Sequence, residues 1–186
     1  MTQGGVTIIE LMIVVGIGAI LAAIAVPSLR DTLLNTRQSS ALGLIINDLN
    51  QARGESIKRN VRMLVCVREV VSPAPLDPST NLVDRCSAST DWRRGWVVCM
   101  TDIAATQCVA PVGAPNPVPN PVIVRPALDA NLNLAVLDAT ATAINSVRFN
   151  PNSTSAGAVT MSLSGTWSGA PTRTVTVAAT GNISKQ

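Results

Sequence analysis

The sequence has no histidine and no tyrosine, and its single phenylalanine is Phe149. Histidine is the commonest general base near neutral pH and a frequent metal ligand, so its absence argues against acid–base catalysis and against a histidine metal site. The net charge is only +3, from 14 basic and 11 acidic residues, and such a weak charge indicates no strongly charged partner. We therefore predict that the chain is not an enzyme and that it carries no metal and no cofactor.

Four cysteines lie in the middle of the chain: Cys66, Cys86, Cys99 and Cys108. An even number favours disulfides in an oxidising compartment such as the bacterial periplasm. No two of them form a C-x-x-C pair, and this spacing disfavours a structural zinc site. Three disulfide connectivities remain open, because the sequence alone does not choose among them.

Residues 6–26 form an apolar run that is interrupted only by Thr7 and Glu10. As a helix rising about 1.5 Å per residue, the run would cover the roughly 30 Å hydrocarbon core of a bilayer. It fits a secretory signal peptide, a plain membrane anchor or a prepilin N-terminus. Positions 23–25 read Ala-Ile-Ala, like a signal-peptidase site, but no basic residue precedes the run. Glu10 favours the prepilin, because a carboxylate in a spanning helix is costly without a partner.

The stretch 5–11, Gly-Val-Thr-Ile-Ile-Glu-Leu, resembles the prepilin peptidase site of type IV pilins and type II secretion pseudopilins. The resemblance implies that Gly5 ends a short leader and that Val6 becomes the N-methylated first residue of the mature chain. It also implies that Glu10 pairs with the terminal amine of a neighbouring subunit during assembly. Pro27 stands where family members carry a proline, and we expect a helix break there. Two departures are Val6 in place of the usual phenylalanine and a leader without a basic residue.

From Ser28 to about Arg59 the apolar positions narrow to one stripe with spacings of three, four and seven, which is typical of an amphipathic helix. We predict one long helix from Val6 to about Arg59, in which 6–27 is the membrane and filament-core half and 28–60 the amphipathic half. A coiled coil is the alternative, but sustained heptads are missing. The charged residues of this half are predicted to lie largely away from the stripe: Arg30, Arg37, Asp48, Arg53, Glu55, Lys58 and Arg59.

After Asn60 the sequence consists of β-branched runs separated by turn residues, which predicts antiparallel strands. The fold class is therefore α+β, with a long N-terminal helix packed on a β-rich head over 61–186. The predicted strands are 61–71, 95–101, 122–125, 132–137, 146–149, 158–164 and 173–178, and the predicted loops are 72–83 and 110–121.

Three segments of the head resemble motifs of the GspH/FimT pseudopilins: W-x-x-G-W in 91–98, I-x-F-x-P in 146–151 and the closing strand with Thr-Gly in 173–181. The resemblance spans nearly the whole chain and implies a type IV pilin-like fold. It also suggests a Cys66–Cys86 disulfide, which leaves Cys99–Cys108 as the second pair. We expect the tryptophans of the first motif, Trp92 and Trp96, to be buried against the long helix.

The function implied by the resemblance is that of a minor pilin or pseudopilin. Such a subunit sits in the bacterial inner membrane by one span with a periplasmic head, is processed by prepilin peptidase after the 1–5 leader, and joins other pilins in a filament. The residues do not separate a type IV pilus from a type II secretion system. A secreted hydrolase is a third interpretation, disfavoured by the lack of histidine.

DNA binding for natural transformation, as in FimT-like proteins, is the alternative function. Those proteins carry a basic C-terminal tail, whereas the tail 181–186 has one cation, Lys185. Phosphate contacts would therefore have to come from other basic residues. The candidates are Arg93, Arg94, Arg173 and the cluster Lys58, Arg59 and Arg62.

Overall fold

The computed structural model begins with one long helix. It describes residues 7–70, 84–101, 108 and 122–185. For residues 24–28, 70, 84 and 85 it describes the backbone only. Helix α1 runs from Ile8 to Arg59. The hydroxyl of Thr7 accepts a hydrogen bond of 3.3 Å from the backbone N–H of Glu10, so Thr7 caps the helix. The expected helix break at Pro27 is not observed, because α1 passes through this position as one element. A proline inside a helix removes one backbone hydrogen bond and can be accommodated without ending the helix.

The end of α1 is a Schellman turn at Asn60. Asn60 has a φ of 54°, and its N–H donates to the carbonyl of Ile57 while that of Val61 donates to the carbonyl of Ser56. These two bonds satisfy carbonyls that the helix leaves open, and asparagine tolerates the left-handed conformation better than most residues. The helix therefore ends where the sequence predicts.

The chain divides into two compact units, Met1–Arg37 and Gln38–Gln186. The boundary falls inside the predicted amphipathic half, so the part of α1 from Gln38 onward belongs to the same unit as the strands. Within the residues that the structure describes, no helix is both long enough and apolar enough to cross a membrane.

Among the residues that the structure describes after α1 there are nine strands and one 3-10 turn, and the strand pairings among them are all antiparallel. One sheet has the order β2-β1-β3-β4, with β6 also pairing with β1, and the other has the order β5-β7-β8-β9. The elements are β1 Arg62–Val70, β2 Asp84–Cys86, the 3-10 turn Trp92–Arg94, β3 Trp96–Thr101, β4 Ile123–Val124, β5 Leu132–Asp138, β6 Ser146–Phe149, β7 Val159–Gly165, β8 Arg173–Val177 and β9 Ile183–Lys185.

One hydrophobic core joins the last part of α1 to both sheets. Strands β5, β7 and β8 bury every second side chain, as expected when one face meets the core and the other meets solvent. Strand β3 is buried at all six positions, because its second face lies in a smaller cluster formed by Leu64, Cys66, Cys86, Val97 and Cys99. The α+β fold predicted from the sequence is confirmed.

Candidate functional site

The first turns of α1 carry an exposed apolar surface. Ile8 is 81% exposed and Leu21 is 62% exposed. Five consecutive positions, 11–15, are all apolar and exposed, and at 100° per residue they cover the whole circumference of the helix. We call this the N-terminal apolar surface; its members are Ile8, Ile9, Leu11, Met12, Ile13, Val14, Val15, Ile17, Ile20 and Leu21.

A helix that is apolar on every side is unfavourable in water, because apolar area costs roughly 25 cal/mol per Å² of exposure. Such a helix is normally covered by lipid or by other protein. The N-terminal apolar surface is therefore an interaction surface by its chemistry.

Glu10 interrupts this surface with a carboxylate in the first turn of α1. A negative charge is favoured there, because the first backbone N–H groups of a helix are unpaired and carry partial positive charge. The Glu10 side chain is exposed. It has no cationic partner within the part of the chain that the structure describes. Gly5 and Val6, the predicted cleavage and methylation positions, lie outside the described residues.

The head is held to α1 by a buried ion pair that the sequence analysis missed. Asp48 is completely buried and accepts two hydrogen bonds of 2.8 Å from the guanidinium of Arg125. The indole N–H of Trp96 donates a third bond, of 2.9 Å, to the same carboxylate. Hydrogen bonding to Asp48 raises the pKa of Arg125. The prediction that Asp48 faces away from the apolar stripe is therefore wrong.

The sequence does hold a signal for the burial of Asp48. It lies three residues after Ile45 and four before Ala52, so it falls on the apolar stripe at helical spacing. A lone carboxylate on such a stripe needs a cation or hydrogen-bond donors beside it, but the sequence gives no means of choosing Arg125 among the other arginines.

A second buried polar contact lies where α1 enters the head. Gln38 is fully buried, and its side-chain amide donates to the carbonyls of Leu163, at 3.0 Å, and Pro171, at 2.6 Å. Its carbonyl oxygen accepts from Nε of Arg173 at 3.3 Å. These bonds fix α1 at its entry into the head, because both hydrogen-bonding groups of the amide are satisfied.

The tryptophans of the W-x-x-G-W motif are buried, as predicted. Trp92 is 1% exposed and Trp96 is 3% exposed, and the Trp92 indole donates to the carbonyl of Ile144 at 2.8 Å. Both line a small apolar cavity together with Ile45 and Leu49 of α1. Their role in the structure is therefore to pack the helix against the head.

The cysteines form the disulfides Cys66–Cys86 and Cys99–Cys108, the pairing that the family resemblance implies. The four sulfur atoms lie within 4.8 Å of one another. The lack of a C-x-x-C pair was therefore a poor argument against a zinc site, because the sheet and its loops bring together cysteines that are far apart in the chain. With both disulfides formed, the four cysteines offer no thiolate to a metal ion.

Five of the six basic residues considered for DNA binding have a hydrogen-bond or ion-pair partner on α1 or in the head. Arg93 forms an ion pair of 2.9 Å with Asp91, and its hydrogen bonds lower the pKa of that carboxyl group. Arg59 pairs with Glu55, and Arg62 donates to the Asn150 side chain at 3.4 Å. Carboxylate partners reduce the positive charge available for phosphate contacts.

The region 41–181 matches the family model described as "Type II transport protein GspH". Two crystal forms of the type IV minor pilin FimU from Pseudomonas aeruginosa have a similar fold, with TM-scores of 0.55 and 0.52 and 14% identity in both cases. The matches cover 81% and 80% of this chain and 89% and 91% of the FimU chains. No curated protein sequence is significantly similar. Because the family model covers most of the chain, the chain belongs to the GspH family of type II transport proteins.

Proposed function

We propose that the chain is a minor pilin or pseudopilin, a structural subunit that is cut after Gly5, methylated at Val6 and assembled into a filament. Before assembly, the 6–26 segment holds the subunit in the bacterial inner membrane, and the head lies in the periplasm. The family and the fold are those of structural pilin subunits, and we propose no enzymatic activity.

The observation that carries this proposal is the N-terminal apolar surface. It surrounds the start of α1, and its members are at least 55% exposed. The isolated chain leaves this area uncovered, so a stable state requires lipid or the helices of other subunits around it. Lipid before assembly and neighbouring pilins after it satisfy the same requirement at two stages.

Glu10 gives this assembly its register. In a bundle of apolar helices a lone carboxylate is costly, and a lone terminal amine is equally costly. A subunit that places its Val6 amine against the Glu10 carboxylate of a neighbour offsets both costs. The apolar side chains then supply most of the adhesion, while the charge pair selects one axial position.

The type II secretion pseudopilus and the type IV pilus are both candidate machines. The match to the GspH family favours the first, while the similarity in fold to the type IV minor pilin FimU favours the second. Recovery of the tagged subunit from filament preparations of strains that lack one machine or the other decides between them. We do not propose DNA binding, because two of its candidate residues, Arg59 and Arg93, are paired with carboxylates.

Substitution of Glu10 tests the proposal. We expect Glu10→Gln to remain in the membrane fraction while its share in sheared filaments falls by at least about tenfold, because the incoming amine loses its counter-charge. The measurement is immunoblotting of a tagged full-length subunit in both fractions.

Asp31→Asn is the matched control, since it removes an exposed carboxylate of the same helix outside the apolar run. It should enter filaments as the wild type does. Wild-type incorporation of Glu10→Gln would contradict the proposal, and so would the absence of the wild-type subunit from every filament preparation.

A further inference from the structure

The two disulfides of the head are in contact with each other. Sγ of Cys86 lies 3.8 Å from Sγ of Cys108, although each belongs to a different disulfide. Since all four sulfur atoms lie within 4.8 Å of one another, each sulfur has sulfurs of the other bond within reach of a small side-chain movement.

The sheet explains this proximity. In the pairing of β1 with β3, Cys66 is opposite Val97 and Cys99 is opposite Leu64. The two cysteines are therefore diagonal neighbours on the same face of the sheet. Cys86, the last residue of β2, is opposite Arg68 on the other side of β1. Cys86 and Cys108 then complete their bonds above this one face.

Access to the four sulfurs is unequal. Cys66 and Cys99 have no exposed surface, and Cys86 is 3% exposed. Cys108 is only partly buried. Because thiol–disulfide exchange requires direct attack on a sulfur atom, a reductant from solvent reaches the Cys99–Cys108 bond at Cys108, whereas the Cys66–Cys86 bond is shielded on both sides.

We propose that the four cysteines form one exchange centre, in which Cys108 receives electrons from an external dithiol and passes them to the buried Cys66–Cys86 bond. A dithiol thiolate attacks Sγ of Cys108, the bond to Cys99 breaks, and the Cys99 thiolate takes up a proton. The second thiol of the reductant, as its thiolate, then closes the reductant's own disulfide and releases Cys108 as a thiolate.

The internal step follows across the 3.8 Å contact. The Cys108 thiolate attacks Sγ of Cys86, the Cys86–Cys108 disulfide forms, and Cys66 leaves as a thiolate that takes up a proton. Two electrons have entered from the dithiol, and the head holds one disulfide with Cys66 and Cys99 as thiols. A second dithiol molecule can reduce the new bond at the accessible Cys108, which completes the reduction of all four cysteines.

Reduction of the full-length protein by a small amount of dithiothreitol tests this mechanism. Samples are quenched with acid, alkylated with N-ethylmaleimide and mapped by peptide mass spectrometry. We expect a two-thiol species that is alkylated at Cys66 and Cys99 and retains a Cys86–Cys108 bond. A two-thiol species alkylated only at Cys99 and Cys108 would overturn the proposal.

The variant Cys99→Ser/Cys108→Ser provides a second, kinetic measurement. A tethered thiol acts at an effective concentration in roughly the millimolar range or above. At dithiothreitol concentrations well below this, we expect the Cys66–Cys86 bond of the variant to be reduced at least about tenfold more slowly than that of the wild type. The matched control, Cys66→Ser/Cys86→Ser, should lose its Cys99–Cys108 bond at the wild-type rate. Equal rates of Cys66–Cys86 reduction in the first variant and the wild type would show that the bonds react independently.

Discussion

At the scale of single residues, the contact of Asp48 with Arg125 and Trp96 connects α1 to the head. The carboxylate is fully buried and receives three hydrogen bonds, while 30% of the Arg125 side chain remains exposed. Removing the cation would leave a buried charge with only the indole as a donor. Such a group costs far more than the pair contributes, because its desolvation is no longer compensated.

We therefore expect Arg125→Met to lower the free energy of unfolding by about 2–3 kcal/mol, less than for a fully buried pair because water reaches the exposed part of the site. Guanidinium unfolding of the detergent-solubilised chain, followed by tryptophan fluorescence, measures it. The double variant Asp48→Asn/Arg125→Met should recover much of the loss, since asparagine carries no charge and can still accept from Trp96. A double variant that is no more stable than Arg125→Met would contradict the account.

Asp138 gives a pH-dependent prediction. The hydroxyl of Thr140 donates to its carboxylate at 2.7 Å, and the backbone N–H groups of Thr142 and Thr140 add bonds of 2.9 and 2.8 Å. The hydroxyl bond is the main cause of a lowered pKa at Asp138. Because the folded value is below the unfolded value of about 3.9, the resulting stability is present above that pH and is lost as the pH falls through the folded pKa.

Thr140→Val should raise the pKa of Asp138 toward its ordinary value, as followed by an NMR titration of the carboxyl carbon. Thr142→Val is the control, because the Thr142 hydroxyl contacts the Thr140 hydroxyl while its backbone N–H still reaches the carboxylate. A pKa that is unchanged in Thr140→Val, or equally raised in both variants, would show that the hydroxyl bond does not lower it.

At the scale of elements, backbone geometry that the sequence does not reveal explains why two motif positions are glycine. Gly95 of W-x-x-G-W has a φ of 88°, and a Cβ there would lie 2.4 Å from the carbonyl oxygen of Arg125. Gly181 of the closing Thr-Gly has a φ of 77°, and a Cβ there would lie 1.8 Å from the carbonyl oxygen of Ser153. Both glycines thus combine a positive φ with a close approach of backbone.

Gly181→Ala should therefore cost at least about 2 kcal/mol of unfolding free energy, because the backbone carbonyl must move and the left-handed conformation is strained. Thermal unfolding followed by circular dichroism measures the loss. Gly157→Ala is the matched control, since a Cβ there meets nothing within 4 Å. A Gly181→Ala protein as stable as Gly157→Ala would refute this explanation of the Thr-Gly motif.

Most strands could be predicted from the sequence, but two short ones, β2 and β9, could not. Residues 159–164 alternate apolar and polar side chains, and 132–137 are mainly apolar. The observed strands β5 and β7 differ from the predicted ranges by no more than one residue at either end. Strands β2 and β9 were missed because each has three residues, too few to show a period. Their pairing with β1 and β8 comes from tertiary contacts rather than from local sequence.

The candidate site divides in the same way. The apolar run and Glu10 were evident from local pattern alone, and the structure adds the exposure of that surface. The Asp48–Arg125 pair joins residues 77 positions apart. The sequence allows many other pairings of acidic and basic residues and does not single out this one. Contacts of that kind depend on the fold, so no local pattern reveals them.

At the scale of the whole molecule, the chain combines a unit that holds the N-terminal apolar surface with a unit that holds the head. The head has its own core, and the N-terminal apolar surface is exposed. In the proposed function, lipid or neighbouring subunits cover that surface. This division suits a subunit that is anchored by one part and folded in the other. Processing at the N-terminus would convert the anchored form into the form that assembles.

The most direct test of this account is the intact mass of the membrane-extracted protein from cells with and without prepilin peptidase. We expect a chain that starts at N-methylated Val6 in cells that have the peptidase and an unprocessed N-terminus in cells that lack it. Cleavage after Ala25 in both strains would contradict the account, because the segment would then be an ordinary signal peptide and Glu10 would be absent from the mature protein.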